Sequence, residues 1–401
     1  MQYTERGNGM YLNPYTPGAG LVPGYLAGRE STLNEAKEIL AYLSKGKPTR
    51  SVIYYGLRGV GKTVLLNRIE YYADENDDIL YEHIEVSENG SFKSAISLHC
   101  QKLIRQMSSV ASAKELAKKA LSVLKAFSIT YSNDGTDITL SLHDDIEAAV
   151  GISDTGNFQN DLTELFISMG MLASKNERAI CLFLDEIQYM KDDEFEALIG
   201  AIHRVNQKAF PVMLFGAGLP KVTKLAGDIK SYAERLFQFV EIGSLGREAA
   251  RAALIEPAKE EGVSFENKAV AEILKQTEGY PYFIQEYGKQ VWEYIENGVI
   301  TLASVKAAQT DFIFSLDKSF FKVRFDRATP REKEFMVAMV RCDDLPCTIA
   351  QIAKIMDTST AKIGPIRGQL IHKGFIYSTG HAEVDFTVPQ FDQYLKRINE
   401  I

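Results

Sequence analysis

The 401-residue sequence has few of the features that mark membrane-bound or secreted proteins. It contains no uninterrupted apolar run near the roughly 20 residues that a membrane-spanning helix needs. Its first residues, Met1 to Arg6, lack the basic-then-apolar layout of a secretory signal peptide. We therefore expect a cytoplasmic protein with no membrane partner.

Cysteine is scarce, because the chain has only four, and so small a number excludes a disulfide framework. Cys100 and Cys181 stand in apolar contexts and are predicted to be core thiols. Cys342 and Cys347 have neither metal-ligand spacing nor a companion histidine. The cysteines therefore predict a reducing compartment.

Positive charge is also in deficit, since the formal net charge is −8 at pH 7. This charge argues against attraction of the whole surface to nucleic acid or anionic lipid, so any such contact must come from a local patch. The hydrophobic fraction of 45% and the charged fraction of 24% are those of ordinary globular proteins. A chain of this length is expected to form two or three domains.

One run, Gly56 to Thr63, is hard to explain by packing alone, because it fits the phosphate-binding pattern G-x-x-x-x-G-K-[ST]. An apolar strand precedes it and an amphipathic helix follows, which is the context that such a motif requires. Its glycines let successive N–H groups point at a triphosphate, and the helix N-terminus adds partial positive charge. Lys62 can reach the outer phosphates, and the Thr63 hydroxyl can bind Mg²⁺. The predicted ATP-binding residues of this run are Gly56, Gly59, Val60, Gly61, Lys62, Thr63 and Val64.

Apolar strands alternate with helical patterns through the first half of the chain, which predicts an α/β domain with a parallel sheet. The predicted strands are 51–55, 79–86, 179–184, 210–216 and 237–242. Two alternating segments around Asn133-Asp134-Gly135 also predict a hairpin insertion at about 127–142.

An acidic pair, Asp185 and Glu186, directly follows the most apolar of these strands. The carboxyl ends of parallel strands are where α/β proteins bind ligands. In that position Asp185 would hold Mg²⁺, and Glu186 would activate the attacking water. We therefore assign both carboxylates to an ATPase site.

These motifs resemble those of AAA+/STAND-type P-loop ATPases, near the archaeal ATPases and the origin-recognition-type initiators, over roughly 24–401. Gly28-Arg29-Glu30 is similar to the element that opens such domains, which implies that Gly28 and Arg29 lie near the adenine. Gly279-Tyr280-Pro281 resembles the GxP motif of their helical lid, which implies that Pro281 packs near the base. Arg235 stands where the family carries arginine fingers and is the candidate finger; the alternative is an arginine paired with surface carboxylates.

The chain departs from the family at two places. The end of the fourth strand, Phe215 to Pro220, has no polar side chain to sense a γ-phosphate, and Pro281 replaces the arginine often found in the lid. A slow nucleotide switch therefore fits the sequence as well as a motor.

The last 76 residues, 326–401, show three helical patterns and a hairpin that resemble a winged helix-turn-helix. The third pattern carries Lys362, Arg367, His372 and Lys373, a bias that suits double-stranded DNA, although Pro365 is expected to interrupt this helix. Winged helices also dock proteins, so a protein partner or a homo-oligomer stays open.

Together these observations predict an arm (1–24), a P-loop ATPase core (25–245), a helical lid (246–325) and a winged-helix domain (326–401). We expect a protein that binds ATP and ADP, hydrolyses ATP with Mg²⁺, and moves its winged helix on DNA. The alternative is a signalling or defence scaffold in which the winged helix serves protein assembly.

Overall fold

The computed structural model describes residues 11–18, 20–108, 113–131, 146–229 and 233–401. The chain divides into two compact units. The first, here the sheet unit, comprises Glu30–Gly56 and Lys62–Glu241. The second, here the helical unit, comprises the described part of Met1–Arg29, together with Leu57–Gly61 and Ile242–Ile401. The predicted division into arm, core, lid and winged helix stays a prediction.

The sheet unit is built on five parallel strands in the order β2-β3-β4-β1-β5. These strands are β1 (Ser51–Tyr55), β2 (Ile79–Glu85), β3 (Ala179–Asp185), β4 (Val212–Gly218) and β5 (Phe237–Glu241). All five predicted strands are confirmed, with shifts of at most two residues at their ends. The α/β fold class predicted from the alternation is therefore correct.

Strands β3 and β4 are buried along their whole length, as expected for apolar strands in the middle of a parallel sheet. The helices of this unit are Glu30–Leu43, Lys62–Asp74, Phe92–Met107, Lys114–Tyr131, Phe158–Lys175, Asp192–Gln207, Lys221–Ile229 and Ala233–Leu236. Polar caps fix two of their starts, because the side chains of Ser91 and Asn157 accept hydrogen bonds from the amides three residues later. The predicted core thiols Cys100 and Cys181 are both fully buried here.

The predicted hairpin at about 127–142 is wrong in its first strand. Residues 127–131 are the last turn and a half of helix Lys114–Tyr131. Val123, Leu124 and Phe127 are buried at helical spacing, so packing of a helical face overrides the short polar alternation after Phe127. The rest of the predicted hairpin lies outside the described residues.

The helical unit is mostly α-helical after β5. Its helices are Arg247–Glu260, Asn267–Thr277, Pro281–Val291, Leu302–Ser315, Lys322–Asp326, Pro330–Val340, Ile349–Ile355, Thr360–His372 and Phe391–Asn399. A π-helical segment, Leu316–Phe321, joins two of them. Two short parallel strands, β6 (Ser264–Phe265) and β7 (Val299–Ile300), pair within this unit.

Helix Pro330–Val340, in the C-terminal part of this unit, begins after the cap residue Thr329. Thr329 accepts a hydrogen bond from the Glu332 amide while Glu332 accepts from the Thr329 amide, which completes a capping box before Pro330. Thr348 caps the next helix in the same way, with Gln351 as its partner. Three strands follow the order β8-β10-β9, with β8 at Cys347–Thr348, β9 at Ile376–Gly380 and β10 at Glu383–Phe386.

The expected interruption at Pro365 is wrong, because helix Thr360–His372 runs through this proline. A proline removes one backbone donor and crowds the preceding turn, but here it lies on the exposed side of the helix. The helix ends two residues before Gly374, which has a left-handed φ of 70°.

The described part of the arm lies on the helices of the helical unit. Tyr15 is only 3% exposed, its hydroxyl donates to the Leu254 carbonyl, and its ring meets Trp292 edge-on at 5.7 Å. The Tyr15 ring also occupies the space that a side chain at position 288 would need, so glycine fits there. Within the described residues, no helix has both the length and the apolar character needed to cross a membrane.

Candidate nucleotide site

The phosphate loop follows β1 and leads directly into helix Lys62–Asp74. Gly59 and Gly61 adopt φ values of +81° and +91°, which side chains disfavour, so the loop needs glycine at both positions. The Lys62 ammonium donates to the Gly56 carbonyl at 3.0 Å, back across the start of the motif. Lys62 and Thr63 are half-buried in the first helical turn, as is Val64.

Thr63 and Asp185 come together within the sheet unit, although 122 positions separate them. The Thr63 hydroxyl donates to Asp185 Oδ2 at 2.6 Å. Asp185 is the last residue of β3, and β4 lies between β3 and β1 in the sheet. The structure thus brings together the two predicted metal-binding residues, whose oxygen atoms are of the kind that Mg²⁺ prefers.

Asp185 is nearly completely buried, with 4% of its surface exposed. Burial raises the pKa of this carboxyl group above its ordinary value, and the nearby charge of Glu186 adds to the rise. The hydrogen bond from Thr63 and the charge of Lys62 act in the opposite direction. A bound cation would stabilise the ionised form at this position.

Glu186 follows in a left-handed conformation, with φ 55° and ψ 36°, which is uncommon for a residue with a side chain. Its amide donates to Asp185 Oδ1 at 2.7 Å. Asp185 accepts from Thr63, whereas the Glu186 carboxylate accepts from Gln188, so the two carboxylates have different partners. This arrangement permits the two carboxylates to have different roles.

Sequence reasoning missed Gln188, which lies on the 3-10 turn Ile187–Tyr189 directly after Glu186. Its side-chain amide donates to the Glu186 carboxylate. Its Oε1 atom accepts from the Leu219 amide at 2.9 Å. No local pattern signals this role, because the contact with Leu219 depends on a residue 31 positions later.

Within the helical unit, Arg29 binds two backbone carbonyl groups. Its guanidinium donates to the carbonyl of Val60 at 3.3 Å and to that of Gly243 at 2.5 Å. Gly28 has a φ of +68°, and a Cβ there would lie 2.6 Å from the Ala249 methyl group. The element that carries Gly28 and Arg29 is therefore tied to the phosphate-loop residue Val60.

The Gly279-Tyr280-Pro281 motif also contacts the loop residues that belong to the helical unit. A Cβ on Gly59 would lie 3.0 Å from the Tyr280 ring, so this ring covers the loop at Gly59. Tyr280 is 1% exposed, and its hydroxyl has no hydrogen-bond partner among the described residues. Pro281 is the first residue of helix Pro281–Val291, where its missing N–H costs nothing. The sequence motif predicts a role for Pro281, but it does not indicate the contact between Tyr280 and Gly59.

The candidate finger, Arg235, is exposed on the short helix Ala233–Leu236, between β4 and β5. At the end of β4, Gly216 and Gly218 leave the strand without a polar side chain, as the sequence indicates.

Two family models match the sequence. Residues 25–215 match an AAA ATPase domain. Residues 318–395 match a domain of unknown function, DUF8462. A comparison with curated proteins finds no match.

A search of solved structures finds several that are similar to this chain. A Walker-type ATPase of Pyrococcus abyssi is 13% identical, with a TM-score of 0.53 over 92% of this chain and 96% of that one. The Cdc6p protein of Pyrobaculum aerophilum is 14% identical, with a TM-score of 0.48 over 96% of each chain. The Orc1 protein of Aeropyrum pernix, solved in complex with DNA, is 15% identical, with a TM-score of 0.47 over 94% of each chain. At these identities the likeness to the Pyrococcus protein concerns the fold alone.

Proposed function

Residues 25–215 form an AAA ATPase domain on a P-loop fold, and from this premise we propose that the chain is a slow ATP-driven switch. The observation that carries the proposal is the hydrogen bond between Thr63 and Asp185. It joins the phosphate loop to the end of β3, where Glu186 follows. Lys62, Thr63, Asp185 and Glu186, which we propose for phosphate binding, metal binding and hydrolysis, all belong to the sheet unit.

Each residue has a separate task in this proposal. Lys62 donates to the outer phosphate oxygens of ATP, and the loop amides cradle the phosphates. Thr63 and Asp185 would hold Mg²⁺, and the close approach of their oxygen atoms fits this ion. When bound, Mg²⁺ neutralises charge on the phosphate oxygens.

Glu186 accepts a proton from a water molecule whose oxygen attacks the γ-phosphorus. The bond between the γ-phosphorus and the bridging oxygen then breaks, and ADP leaves with that oxygen. Arg235 would stabilise the transferred group as a finger, which requires a second subunit or a movement of its exposed helix. Gly28, Arg29 and Pro281 are proposed to contact the adenine side of the nucleotide.

We further propose that residues 326–401 form a winged helix that contacts double-stranded DNA. Supporting this, helix Thr360–His372 exposes Lys362 and His372, and Lys354 is exposed on the preceding helix. Lys362 lies in the first turn of its helix, where an exposed cation suits the phosphate groups of a duplex. The switch would change the presentation of this helix with the nucleotide state.

One observation favours the alternative, a docking surface for protein. Lys373 is engaged with the buried Glu332 at 2.9 Å, and Arg367 donates to Ser378 at 2.6 Å. Two of the four basic residues that the sequence pattern carries, Arg367 and Lys373, therefore already have partners. The exposed surface of the helix otherwise has small side chains, including Ala361 and Pro365.

Two measurements test the proposal. The ATPase rate of the parent and of Glu186→Gln, each with and without duplex DNA, tests hydrolysis. We expect the substitution to lower kcat by at least about a hundredfold.

DNA binding measured across a salt series tests the winged helix. The variant Lys362→Glu is compared with Lys175→Glu, an exposed control that has the same change of charge. A steep loss with salt, larger for Lys362→Glu, supports DNA contact. Absence of binding at low salt supports the docking role.

A further inference from the structure

Gln188 is a buried glutamine whose two amide atoms are both engaged. The side chain is 1% exposed. Its nitrogen donates to Glu186 Oε2, and its oxygen accepts from the Leu219 amide at 2.9 Å. The glutamine therefore bridges the carboxylate after β3 and the first backbone amide beyond β4.

The neighbouring strand is shaped to admit this bridge. A Cβ on Gly218 would lie 3.2 Å from Gln188 Oε1 and 2.7 Å from a Val222 methyl group. A Cβ on Gly216 would lie only 2.3 Å from the Ile187 side chain. The two glycines of β4 thus make room for the turn that carries Ile187 and Gln188.

The bridge also lies at the place where the chain departs from related ATPases. The end of β4, at Gly216 to Gly218, has no polar side chain, and the Leu219 amide follows it directly. Gln188 connects that amide to Glu186, whose left-handed backbone alone does not fix the plane of its carboxylate. A general base must be oriented within hydrogen-bond reach of its water to act efficiently.

We propose that Gln188 is a positioning residue for ATP hydrolysis, which sets the orientation of the Glu186 carboxylate relative to the end of β4. The inference rests on the proposed role of Glu186 as the base. Gln188 itself touches neither ATP nor water in this scheme. Its effect is therefore expected in kcat, with ATP binding left unchanged.

The substitution Gln188→Glu separates positioning from packing. A glutamate keeps an oxygen that accepts from Leu219, but it replaces the donor to Glu186 with a second carboxylate oxygen. We expect kcat to fall by at least about tenfold, the loss typical when an orienting partner is removed. The Kd for ATP should stay within about twofold, because a positioning residue adds nothing to ground-state binding. Gln207→Glu, exposed at the end of helix Asp192–Gln207, is the matched control and should behave like the parent.

A double-mutant cycle tests whether Gln188 acts through Glu186. In a Glu186→Gln background, the further change Gln188→Glu should produce no additional loss of kcat. A full additional tenfold loss would contradict the proposal, because it would give Gln188 an effect independent of Glu186. If Gln188→Glu does not fold, Gln188→Met, of similar length and without charge, replaces it with the same expected loss of kcat.

The outcomes separate this inference from the function on which it rests. If Glu186→Gln leaves turnover unchanged, the proposed base is wrong and the inference falls with it. If Glu186→Gln abolishes turnover while Gln188→Glu turns over as fast as the parent, or faster, only the positioning role is wrong. A loss of kcat in both, with ATP affinity retained, supports it.

Discussion

Thr63 in the phosphate loop and Asp185 at the end of β3 share a hydrogen bond of 2.6 Å. This contact joins the two motifs of the sequence that have the clearest chemistry. It also fixes the half-buried hydroxyl and the buried carboxylate close enough to bind one cation together. The first prediction concerns that cation.

Asp185→Asn should remove most of the Mg²⁺ dependence of ATP binding and lower kcat by at least about a hundredfold. The amide keeps the shape of the side chain: its oxygen can accept from the Glu186 amide, and its nitrogen can donate to the Thr63 hydroxyl oxygen. Because burial raises the pKa of Asp185, an uncharged amide should not lower the melting temperature of the protein without nucleotide. Calorimetric titration of ATP with and without Mg²⁺ measures the effect. An unchanged Mg²⁺ dependence would remove Asp185 from the metal site.

Gly279→Ala should strongly destabilise the helical unit. Gly279 has a φ of +71°, and a Cβ there would lie 2.4 Å from the carbonyl oxygen of Leu245. The left-handed strain and this clash with backbone together should cost about 2 kcal/mol or more. Gly364→Ala is the control, since its Cβ would meet open space inside helix Thr360–His372, and it should be neutral or stabilising by up to about 1 kcal/mol. Denaturant titrations compare the two, and equal midpoints would contradict this account.

His83 and Glu70 predict a dependence of stability on pH in the sheet unit. His83 Nδ1 lies 2.5 Å from a Glu70 oxygen, and this hydrogen bond raises the pKa of His83 above its ordinary 6.5. The stabilisation from this pair is fully present below that value and is lost as the pH rises through the raised pKa. His83→Gln and Glu70→Gln should each flatten the fall in unfolding free energy, by about 1 kcal/mol or less for a partly exposed pair. Slopes like that of the parent in both variants would show that the pair is not formed.

Lys373→Met should destabilise the C-terminal residues, because it leaves the Glu332 carboxylate buried without its cation. Burial opposes ionisation of Glu332, but the hydrogen bonds from Lys373 and Thr329 hold its pKa below the ordinary value. The Glu332 side chain is 1% exposed and that of Lys373 is 29% exposed, so we expect a cost of about 2 kcal/mol, below the range for a fully buried pair. Lys396→Met, which breaks a surface pair with Asp392, should cost less than about 0.5 kcal/mol. Thermal unfolding of both variants measures the difference, and equal costs would contradict the role of the pair.

Local signals in the sequence predicted much of the fold. The apolar strand that leads to Asp185 and the helix that follows the Gly56–Thr63 run depend on neighbours a few residues away, and each occurs where the pattern indicates. The helix through Phe127 was not predicted, because it is stabilised by the burial of Val123, Leu124 and Phe127, which a short stretch of sequence does not reveal. Propensity in a short segment is weak against tertiary packing.

The polar contacts of the candidate site were predictable only in part. The motifs identify Lys62, Thr63 and Asp185 by residue type and spacing. The link from Gln188 to Leu219 and the cover of Gly59 by Tyr280 join positions that no motif connects. Such contacts are set by how strands and turns pack, and this information is spread over the chain.

The most direct test of the account is the affinity for ATP of the parent and of Lys62→Ala, measured by calorimetry with Lys175→Ala as an exposed control. The account predicts that Lys62→Ala binds ATP at least about tenfold more weakly, the loss expected for a charge-assisted hydrogen bond to phosphate, while the control binds like the parent. Equal affinity in all three proteins would contradict phosphate binding by this loop.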